Sequence, residues 1–354
     1  MQEVLDEIEQ WRTEGGAVAL ATVVETWGSA PRRPGAKMAL TPEGKIAGSV
    51  SGGCVEGAVF EAGVEVLEQG RPRLLHFGVA DEIAWDVGLA CGGEIDIFVE
   101  ALDDDTRARM ASLAHAAQGG VAAVVVAGPP ELLGLRLFLD GNGDSSGALP
   151  AALEGGVQRA IGKAAARALA TGASRRETID EETGLTLFFD VLLPPPTLIM
   201  VGGVQIAQAL AAIARSVHYQ TIVIDPRRAF GSQARFPAVD RLIQKWPQEA
   251  FDELTLTSRT AVALLTHDPK IDDPALKIVL DSPAFYAGAL GSSRTHAQRR
   301  ERLLNAGLAA EQVARIHGPI GLDINAQTPE EIAVAIMAEI VSVRRQREAE
   351  ERKR

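Results

Sequence analysis

The chain has 354 residues, of which 46% are hydrophobic and 23% charged, a composition typical of a folded globular protein with about two domains. Its formal net charge of -12 argues against a general nucleic-acid binder, which needs a basic surface. The sequence lacks a run of about 18 apolar residues that would predict a transmembrane helix, and its acidic, amphipathic N-terminus is unlike a secretory signal. We therefore expect a cytoplasmic protein that binds neither nucleic acid nor a membrane.

Hydrophobic periodicity and turn residues predict a mixture of helices and strands in the first 193 residues. In chain order the predicted elements are a helix at 2–12, a strand at 17–28, a hairpin at 37–50, a helix at 54–69, strands at 71–79 and 94–102, a helix at 104–117, a strand at 121–128, a turn-rich loop at 138–150, a helix at 151–170 and a strand at 184–193. This pattern predicts an N-terminal mixed α+β domain over 1–193, without an internal repeat.

The proline triplet 194–196 predicts a stiff linker, because proline fixes its own backbone and lacks an N–H donor. The elements predicted after it are strands at 197–203 and 220–227 around a helix at 204–219, strands at 259–267 and 285–291, helices at 272–279 and 294–306, and a last helix that begins near Thr328. This alternation predicts an α/β domain over 197–345, a Rossmann-like doubly wound parallel sheet. The charged residues 346–354 are expected to form a solvated tail.

Each of the two cysteines stands beside a glycine pair, at a point where the predicted secondary structure changes. One stretch is Ser51-Gly52-Gly53-Cys54, before a helix, and the other is Cys91-Gly92-Gly93, before a strand. Glycine lets a ligand approach backbone N–H groups, and the positive end of a helix dipole favours an anion and a metal-binding thiolate. Both stretches are therefore candidate cofactor-binding segments. The alternative is that each cysteine is a small apolar filler.

A rigid basic loop precedes the first of these stretches. Residues 25–38 hold Arg32, Arg33 and Lys37 among glycines and prolines, a pattern that suits a phosphate or another anion. A solvated basic turn is the alternative. Glu56 is expected on the first helical turn, where a carboxylate is favoured by the dipole or accepts a hydrogen bond from the heterocycle of a ligand.

The turn after the strand at 197–203 departs from the dinucleotide-binding fingerprint, which needs glycines at three fixed places. Gly202, followed by Gly203, supplies the first place and Ala207 stands at the third, but Val204 occupies the second, where a side chain collides with a pyrophosphate. Asp225 ends the next strand at the distance expected of a ribose ligand, and Arg227 is placed to meet a phosphate. A structural cap is the alternative role for Asp225.

A second glycine–serine turn lies at 288–300 and leads into a basic helix. Ser292 and Arg294 are candidates to hold an oxyanion at the N-terminus of that helix. Among six scattered histidines, His317 is notable because it adjoins a Gly-Pro-Ile-Gly loop. A lone histidine is nevertheless more often structural.

Several of these motifs, in their order along the chain, resemble the XdhC/CoxI family. They are VVETWGSAPRRPGAKM, GSVSGGCVEGAV, GLACGGEIDIFVE, LIMVGGVQIAQAL, GALGSSRTHAQRR and HGPIGLDINAQTPEEIAVAIMAEI. The resemblance extends over 17–100 and 186–345, while 101–185 agrees only in general layout. The family has a Gly-Ala-Gly-His-type turn after the Rossmann strand, and this chain has Gly202-Gly203-Val204-Gln205 there, which argues against a nucleotide at that turn.

The resemblance implies a maturation chaperone rather than an enzyme. Members of the family are regarded as binding the molybdenum cofactor, a metal-dithiolene pterin with a phosphate. They take part in its sulfuration with a cysteine desulfurase and deliver it to an apo molybdenum hydroxylase such as xanthine dehydrogenase. The cargo is then molybdopterin or its cytosine dinucleotide form. Since a soft metal favours thiolate ligands, Cys54 and Cys91 are the candidate molybdenum ligands; carrying the sulfur is the alternative role for either thiol. A homodimer is the expected assembly.

Two other functions stay open from the sequence. An adaptor would bring the desulfurase and the client enzyme together without holding cofactor. An NAD(P)-dependent oxidoreductase is favoured by the Rossmann-like half and by Asp225, and is opposed by Val204 and by the lack of a clear hydride-transfer constellation.

Overall fold

The computed structural model describes residues 1–78, 92–147, 153 and 155–351. The chain forms two compact units, Met1–Pro194 and Pro195–Arg354. Among the described residues, no helix is both long enough and apolar enough to cross a membrane.

The first unit is a mixed α+β structure. Its elements are α1 (Gln2–Thr13), β1 (Ala19–Trp27), β2 (Lys37–Leu40), β3 (Ile46–Gly48), α2 (Glu56–Gln69), β4 (Arg73–Phe77), β5 (Glu94–Ala101), α3 (Asp104–His115), β6 (Gly120–Ala127), β7 (Arg136–Asp140), β8 (Ser145–Gly147), α4 (Gly155–Thr171), β9 (Arg175–Asp180) and β10 (Leu185–Leu192). In the part that the structure describes, these strands form two antiparallel sheets, ordered β3-β2-β1-β5-β4 and β8-β7-β6-β10-β9.

The two sheets are built by the same succession of elements, and their backbones agree in detail. In each, three strands are followed by a helix, α2 or α4, and then by two strands. Lys37 and Arg136 begin β2 and β7. Gly48 and Gly147 end β3 and β8 with positive φ, and a Cβ on either would collide with the carbonyl oxygen of Lys37 or Arg136 respectively. The prediction that the chain has no internal repeat is therefore wrong at the level of the fold. The strand order and the strand register repeat, although the amino-acid sequence does not.

Two reciprocal ion pairs cross between the sheets. Lys37 Nζ lies 2.7 Å from Asp190 Oδ2, and Arg136 pairs with Glu100. Glu100 pairs in register with Leu20 in the first sheet, as Asp190 does with Ala122 in the second. The two halves of the unit thus face each other with approximate two-fold symmetry. Apolar residues of both sheets also pack together here, among them Val24, Phe98, Val124, Val126 and Phe188.

The second unit is a doubly wound parallel sheet. Its elements are β11 (Thr197–Val201), α5 (Gln205–Ser216), β12 (Gln220–Ile224), β13 (Arg241–Ile243), α6 (Pro247–Phe251), β14 (Thr260–Leu264), α7 (Pro269–Leu280), β15 (Tyr286–Ala289), α8 (Ser293–Asn305), α9 (Ala310–Ala314), β16 (Ile316–His317) and α10 (Pro329–Glu351). Within the described residues the strand order is β13-β12-β11-β14-β15-β16, with every pairing parallel. The predicted Rossmann-like fold is confirmed, and the chain order reverses between β11 and β14, where such sheets bind ligands.

Apolar residues cover both faces of this sheet. One core contains residues of α5 and α10, and the other contains residues of α7, α8 and α9. The predicted charged tail is helical as far as Glu351, since α10 continues through residue 346 and Arg347 Nε donates to Glu351 at 3.0 Å.

Short polar elements are the ones that the sequence does not predict. The stretch taken as a loop at 138–150 lies partly in the hairpin of β7 and β8, and β9 has the polar sequence RRETID. Such segments lack an apolar run, and they are held by pairing with neighbouring strands rather than by their own side chains. The three-residue β13 and the two-residue β16 are likewise held by pairing with neighbouring strands, and the helices α6 and α9 have only five residues each, too few to show a helical period.

Candidate functional site

Several chain connections meet at one edge of the first sheet. β1 ends at Trp27, β2 begins at Lys37, β3 ends at Gly48 and β5 begins at Glu94. Because β1 runs antiparallel to β2 and β5, and β2 antiparallel to β3, these four strand ends lie together at one end of the strands rather than on one face of the sheet. We call this end the loop edge, comprising residues 27–37, 48–56 and 92–94.

Backbone contacts pack the loop edge closely. The Ser49 N–H donates to the Lys37 carbonyl at 2.9 Å. A Cβ on Gly93 would lie 2.8 Å from the carbonyl carbon of Ser29, so only glycine fits there. Both predicted glycine pairs, Gly52-Gly53 and Gly92-Gly93, therefore belong to this edge. Cys91 lies outside the described residues.

Glu56 engages the amides that were expected to receive an anion. Its carboxylate accepts hydrogen bonds from the N–H groups of Ser51 at 2.9 Å, Gly52 at 3.1 Å and Gly53 at 2.8 Å, and from the hydroxyls of Ser49 and Ser51. Burial opposes ionisation, but these hydrogen bonds outweigh it and lower the pKa of Glu56 to about 2. The predictions that Gly52 and Gly53 offer bare amides and that Glu56 accepts from a ligand are thus corrected.

Cys54 is presented to solvent by this ordered loop. Its thiol is free and exposed, and its N–H donates to Ser51 Oγ at 3.0 Å. The helix α2 begins at Glu56, so Cys54 stands two residues before the helix rather than on its first turn. An exposed side chain is not an apolar filler, which removes that alternative for Cys54.

The predicted basic loop is engaged mainly with the protein itself. Lys37 is fully buried between the sheets, where its Nζ lies 2.7 Å from Asp190 and 3.3 Å from Thr22 Oγ1, so the prediction that it binds an anion is wrong. Arg32 pairs with Glu3 of α1. Burial raises the pKa of Glu3. The hydrogen bonds from Arg32 and from the Lys37 amide lower it by more, so the net pKa is below the usual value.

A row of polar residues that the sequence analysis missed crosses the strands next to the loop edge. Glu25 of β1 and His76 of β4 both pair in register with Asp96 of β5. His76 Nδ1 lies 2.6 Å from Asp96 Oδ1, and Arg176 of β9 donates to Asp96 Oδ2 at 2.5 Å. Trp27 lies beside them, its ring centroid 6.1 Å from that of His76. We call these five residues the strand-end cluster. The only signal in the sequence is a polar side chain near the end of each apolar strand.

In the second unit Asp225 is a structural cap. Its Oδ2 accepts from Gly203 N and Arg227 Nη2, both at 2.8 Å, and its Oδ1 accepts from Arg227 N and Nε, both at 2.9 Å. Burial opposes ionisation of this fully buried carboxyl, but the hydrogen bonds from Arg227 and Gly203 lower its pKa. All four acceptor positions are used, so the predicted roles of Asp225 and Arg227 toward a ribose or phosphate are corrected.

The Rossmann turn itself is covered by the chain. A Cβ on Gly203 would lie 2.4 Å from the Phe230 carbonyl oxygen, and one on Gly202, whose φ is +112°, would lie 2.6 Å from Thr266 Cγ2. Glycine at these positions therefore permits close packing of neighbouring loops, instead of the approach of a pyrophosphate.

Buried charged side chains stabilise the turn before α8. Arg299 Nη2 donates to the Leu290 carbonyl at 2.9 Å and lies 3.5 Å from Asp272 Oδ2. Burial raises the pKa of Asp272, and the 2.6 Å hydrogen bond from Thr266 Oγ1 lowers it by less, so the net pKa is raised. Ser292 caps the helix by accepting from Thr295 N at 3.2 Å. The oxyanion role of exposed Ser292 and Arg294 stays a prediction.

His317 is held within the second unit. Its ring stacks on Tyr286 with centroids 4.6 Å apart, and its Nδ1 lies 3.1 Å from Glu339 Oε1. Glu339 Oε2 accepts from Gly321 N at 2.8 Å and from the Tyr286 hydroxyl. These contacts account for His317 as a structural residue.

Comparison with known proteins agrees with the motifs. Residues 198–340 match the family model described as the XdhC Rossmann domain, and residues 11–78 match the one described as the XdhC and CoxI family. The chain is 29% identical to a probable xanthine dehydrogenase subunit of Bacillus subtilis over 328 residues, which cover 92% of this chain and 93% of that protein. It is 28% identical to the molybdenum cofactor insertion chaperone PaoD of Escherichia coli over 333 residues, covering 93% and 84% respectively.

A solved structure shares the fold over nearly the whole chain. It is described as a xanthine dehydrogenase from Bacillus halodurans, with a TM-score of 0.78 and 24% identity, and the match covers 97% of this chain and 96% of that one. Both matched segments of this chain, one in each compact unit, fit one family's models. The chain belongs to the XdhC and CoxI family.

Proposed function

We propose that this protein binds the molybdenum cofactor and inserts it into an apo molybdenum hydroxylase of the xanthine dehydrogenase type. The observation that carries the proposal is the similarity, over 93% of the chain, to a protein named as a molybdenum cofactor insertion chaperone. The similarity to a probable xanthine dehydrogenase subunit over 92% of the chain supports the same class of client. The protein acts as a chaperone and catalyses no reaction of its own.

The loop edge is the proposed cofactor site. Cys54 is its exposed soft donor, and molybdenum, as a soft metal, is favoured by a thiolate. The Glu56 carboxylate orders the backbone that presents this thiol, because it accepts hydrogen bonds from the four successive amides of residues 50–53. Arg33 is exposed in the same edge and supplies a cation for the phosphate of the cargo. Cys91 is proposed as a second thiol ligand from its position in the sequence.

The same proposal includes a partner, an assembly and the form of the cargo. A cysteine desulfurase is the proposed partner for sulfuration of the cargo, and a cytoplasmic homodimer is the proposed assembly. The cargo is molybdopterin or its cytosine dinucleotide form. Ser292 and Arg294, both exposed at the N-terminus of α8, are proposed to hold an oxyanion within the second unit.

An oxidoreductase that uses a nicotinamide cofactor is disfavoured. The Asp225 carboxylate has all its acceptor positions filled from within the chain, and Phe230 covers Gly203. A dinucleotide would need to displace both contacts before reaching the turn.

The proposal is tested by analysis of the intact protein purified from a host that makes the cofactor. We expect molybdenum and pterin in equal amounts, close to one of each per chain. Protein that carries neither, yet accelerates activation of a client enzyme in the presence of a desulfurase, would be an adaptor. Protein that carries neither and does not accelerate activation would contradict both roles.

A further inference from the structure

We propose that Trp27, Glu25 and His76 of the strand-end cluster recognise the ring of a pterin, a planar 2-amino-4-oxopteridine. The inference rests on the proposed function and deepens it, since it locates the heterocyclic end of the cargo. Glu56, the carboxylate first expected to accept from a heterocycle, already accepts hydrogen bonds from four amides and two hydroxyls. A different acceptor is therefore needed at the loop edge.

The cluster lies on one face of the first sheet. Glu25 and His76 are both directly opposite Asp96 on antiparallel strands, and residues directly opposite each other project to the same side. Arg176 reaches Asp96 from β9, so this is the side that faces the second sheet. Trp27, two residues beyond Glu25, lies on the same face, as its contact with His76 requires.

Asp96 and Arg176 fix the orientation of His76. Asp96 is only 6% exposed, and its two oxygens are divided between His76 Nδ1 and Arg176 Nη1. The His76 side chain, by contrast, is 58% exposed. A histidine whose Nδ1 is held by a carboxylate directs Nε2 outward, where it accepts a hydrogen bond when neutral and donates one when protonated. Nε2 is thus the atom of His76 that contacts the ring.

Trp27 supplies a stacking surface. Its side chain is 45% exposed at the very end of β1, where the basic loop begins. The indole meets the His76 ring edge-on, with an interplanar angle of 64°, which leaves an indole face for another aromatic ring. A flat heterocycle that stacks there comes within reach of the outward Nε2 of His76.

Glu25 supplies the acceptor for the amino end of the ring. Its carboxyl is half-buried, and in the part of the chain that the structure describes the hydrogen bond that bears on its pKa comes from the Thr26 backbone and none comes from a side chain. Burial and the neighbouring Asp96 carboxylate raise the pKa of Glu25. Arg176 lowers it by less, so the net pKa is above the usual value. A carboxylate accepts two parallel N–H bonds from a fork of donors, as it does from arginine. The 2-amino group and adjacent ring N–H of a pterin present such a fork.

The test compares two probes that differ in one group. Pterin carries the 2-amino donor, whereas lumazine, 2,4-dioxopteridine, has a carbonyl acceptor in its place. We expect equilibrium dialysis with the intact wild-type protein to show roughly tenfold tighter binding of pterin, the factor expected for one hydrogen bond to a charged group. The isosteric Glu25→Gln change should abolish this preference, while Trp27→Leu and His76→Gln should weaken binding of both probes by a similar factor.

Two matched controls accompany these variants. Trp246→Leu removes another exposed tryptophan, and His115→Gln removes a histidine of the first unit; both should leave binding of the two probes unchanged. A preference that survives in Glu25→Gln, or wild-type protein that binds lumazine as well as pterin, would overturn the ring site. Delivery of cofactor to a client by that same wild-type protein would show that the proposed function still stands. Wild-type protein that neither binds pterin nor carries molybdenum would overturn both.

Discussion

Lys37 and Asp190 form a buried ion pair, with Nζ 2.7 Å from Oδ2, that joins the two halves of the first unit. The pair has its counterpart in Arg136 and Glu100, which run in the opposite direction between the same sheets. An anion at the loop edge therefore cannot use the Lys37 ammonium, although the lysine stands in the basic loop of the sequence. Removing one partner of such a pair leaves a buried charge without compensation, which is strongly destabilising.

Lys37→Met should destabilise the first unit by about 3–5 kcal/mol, because Asp190 is left buried without its cation. Urea unfolding followed by circular dichroism measures the change, and adding Asp190→Asn to the variant should recover part of it. Lys45→Met is the control, since Lys45 pairs with Glu14 at the surface. Equal midpoints for the two single variants would contradict the structural role of Lys37.

Glu56→Gln should lower the thermal stability of the protein at neutral pH, and the loss should shrink in acid. The folded-state pKa of Glu56, about 2, lies below its usual value of 4.5, so ionised Glu56 stabilises the fold above pH 4.5. That contribution is lost as the pH falls from 4.5 towards 2. Melting temperatures at pH 7 and pH 3 measure it, with Glu61→Gln on the same helix as the control. A difference from wild type that is constant with pH would refute the assignment.

Cys54→Ser should reduce the molybdenum retained by the purified protein and leave its melting temperature nearly unchanged. Serine keeps the size of the side chain but replaces a soft sulfur by a hard oxygen, and the exposed thiol packs against little of the protein. Metal analysis of wild-type and variant protein from the same host measures the effect. Equal molybdenum contents would remove this thiol from cofactor binding.

Asp225→Asn should weaken the second unit by about 1–3 kcal/mol without changing the affinity for a nicotinamide cofactor. The amide provides one acceptor oxygen in place of two, so donors of Arg227 and Gly203 lose partners. Urea unfolding measures the loss, and NADH fluorescence should report no micromolar binding in either protein. Micromolar NADH binding that disappears in the variant would restore the dinucleotide-site hypothesis.

The second unit was largely predictable from the sequence because buried parallel strands are nearly continuous apolar runs. β11 (Thr197–Val201) and β14 (Thr260–Leu264) are of this kind. The repeat in the first unit was not predictable. Equivalent positions hold different residues, such as Glu100 and Asp190, and only the register of the strands identifies them as equivalent.

The candidate site was predictable in position but not in its internal contacts. The glycine turns indicated where the backbone bends, and Gly52-Gly53 and Gly92-Gly93 do lie at one sheet edge. The sequence does not show that Glu56 folds back onto the amides before it, because that contact depends on the turn geometry. Nor does it show that His76 meets Asp96, since pairing between β4 and β5 depends on strand register.

Transfer of cofactor is the measurement that tests the central claim most directly. Purified protein loaded with molybdenum cofactor is mixed with a metal-free apo molybdenum hydroxylase of the xanthine dehydrogenase type, and enzyme activity and enzyme-bound molybdenum are followed in time. We predict that both rise together while the molybdenum on the chaperone falls by the same amount. Activity that rises no faster than with free cofactor, with molybdenum remaining on this protein, would contradict the account.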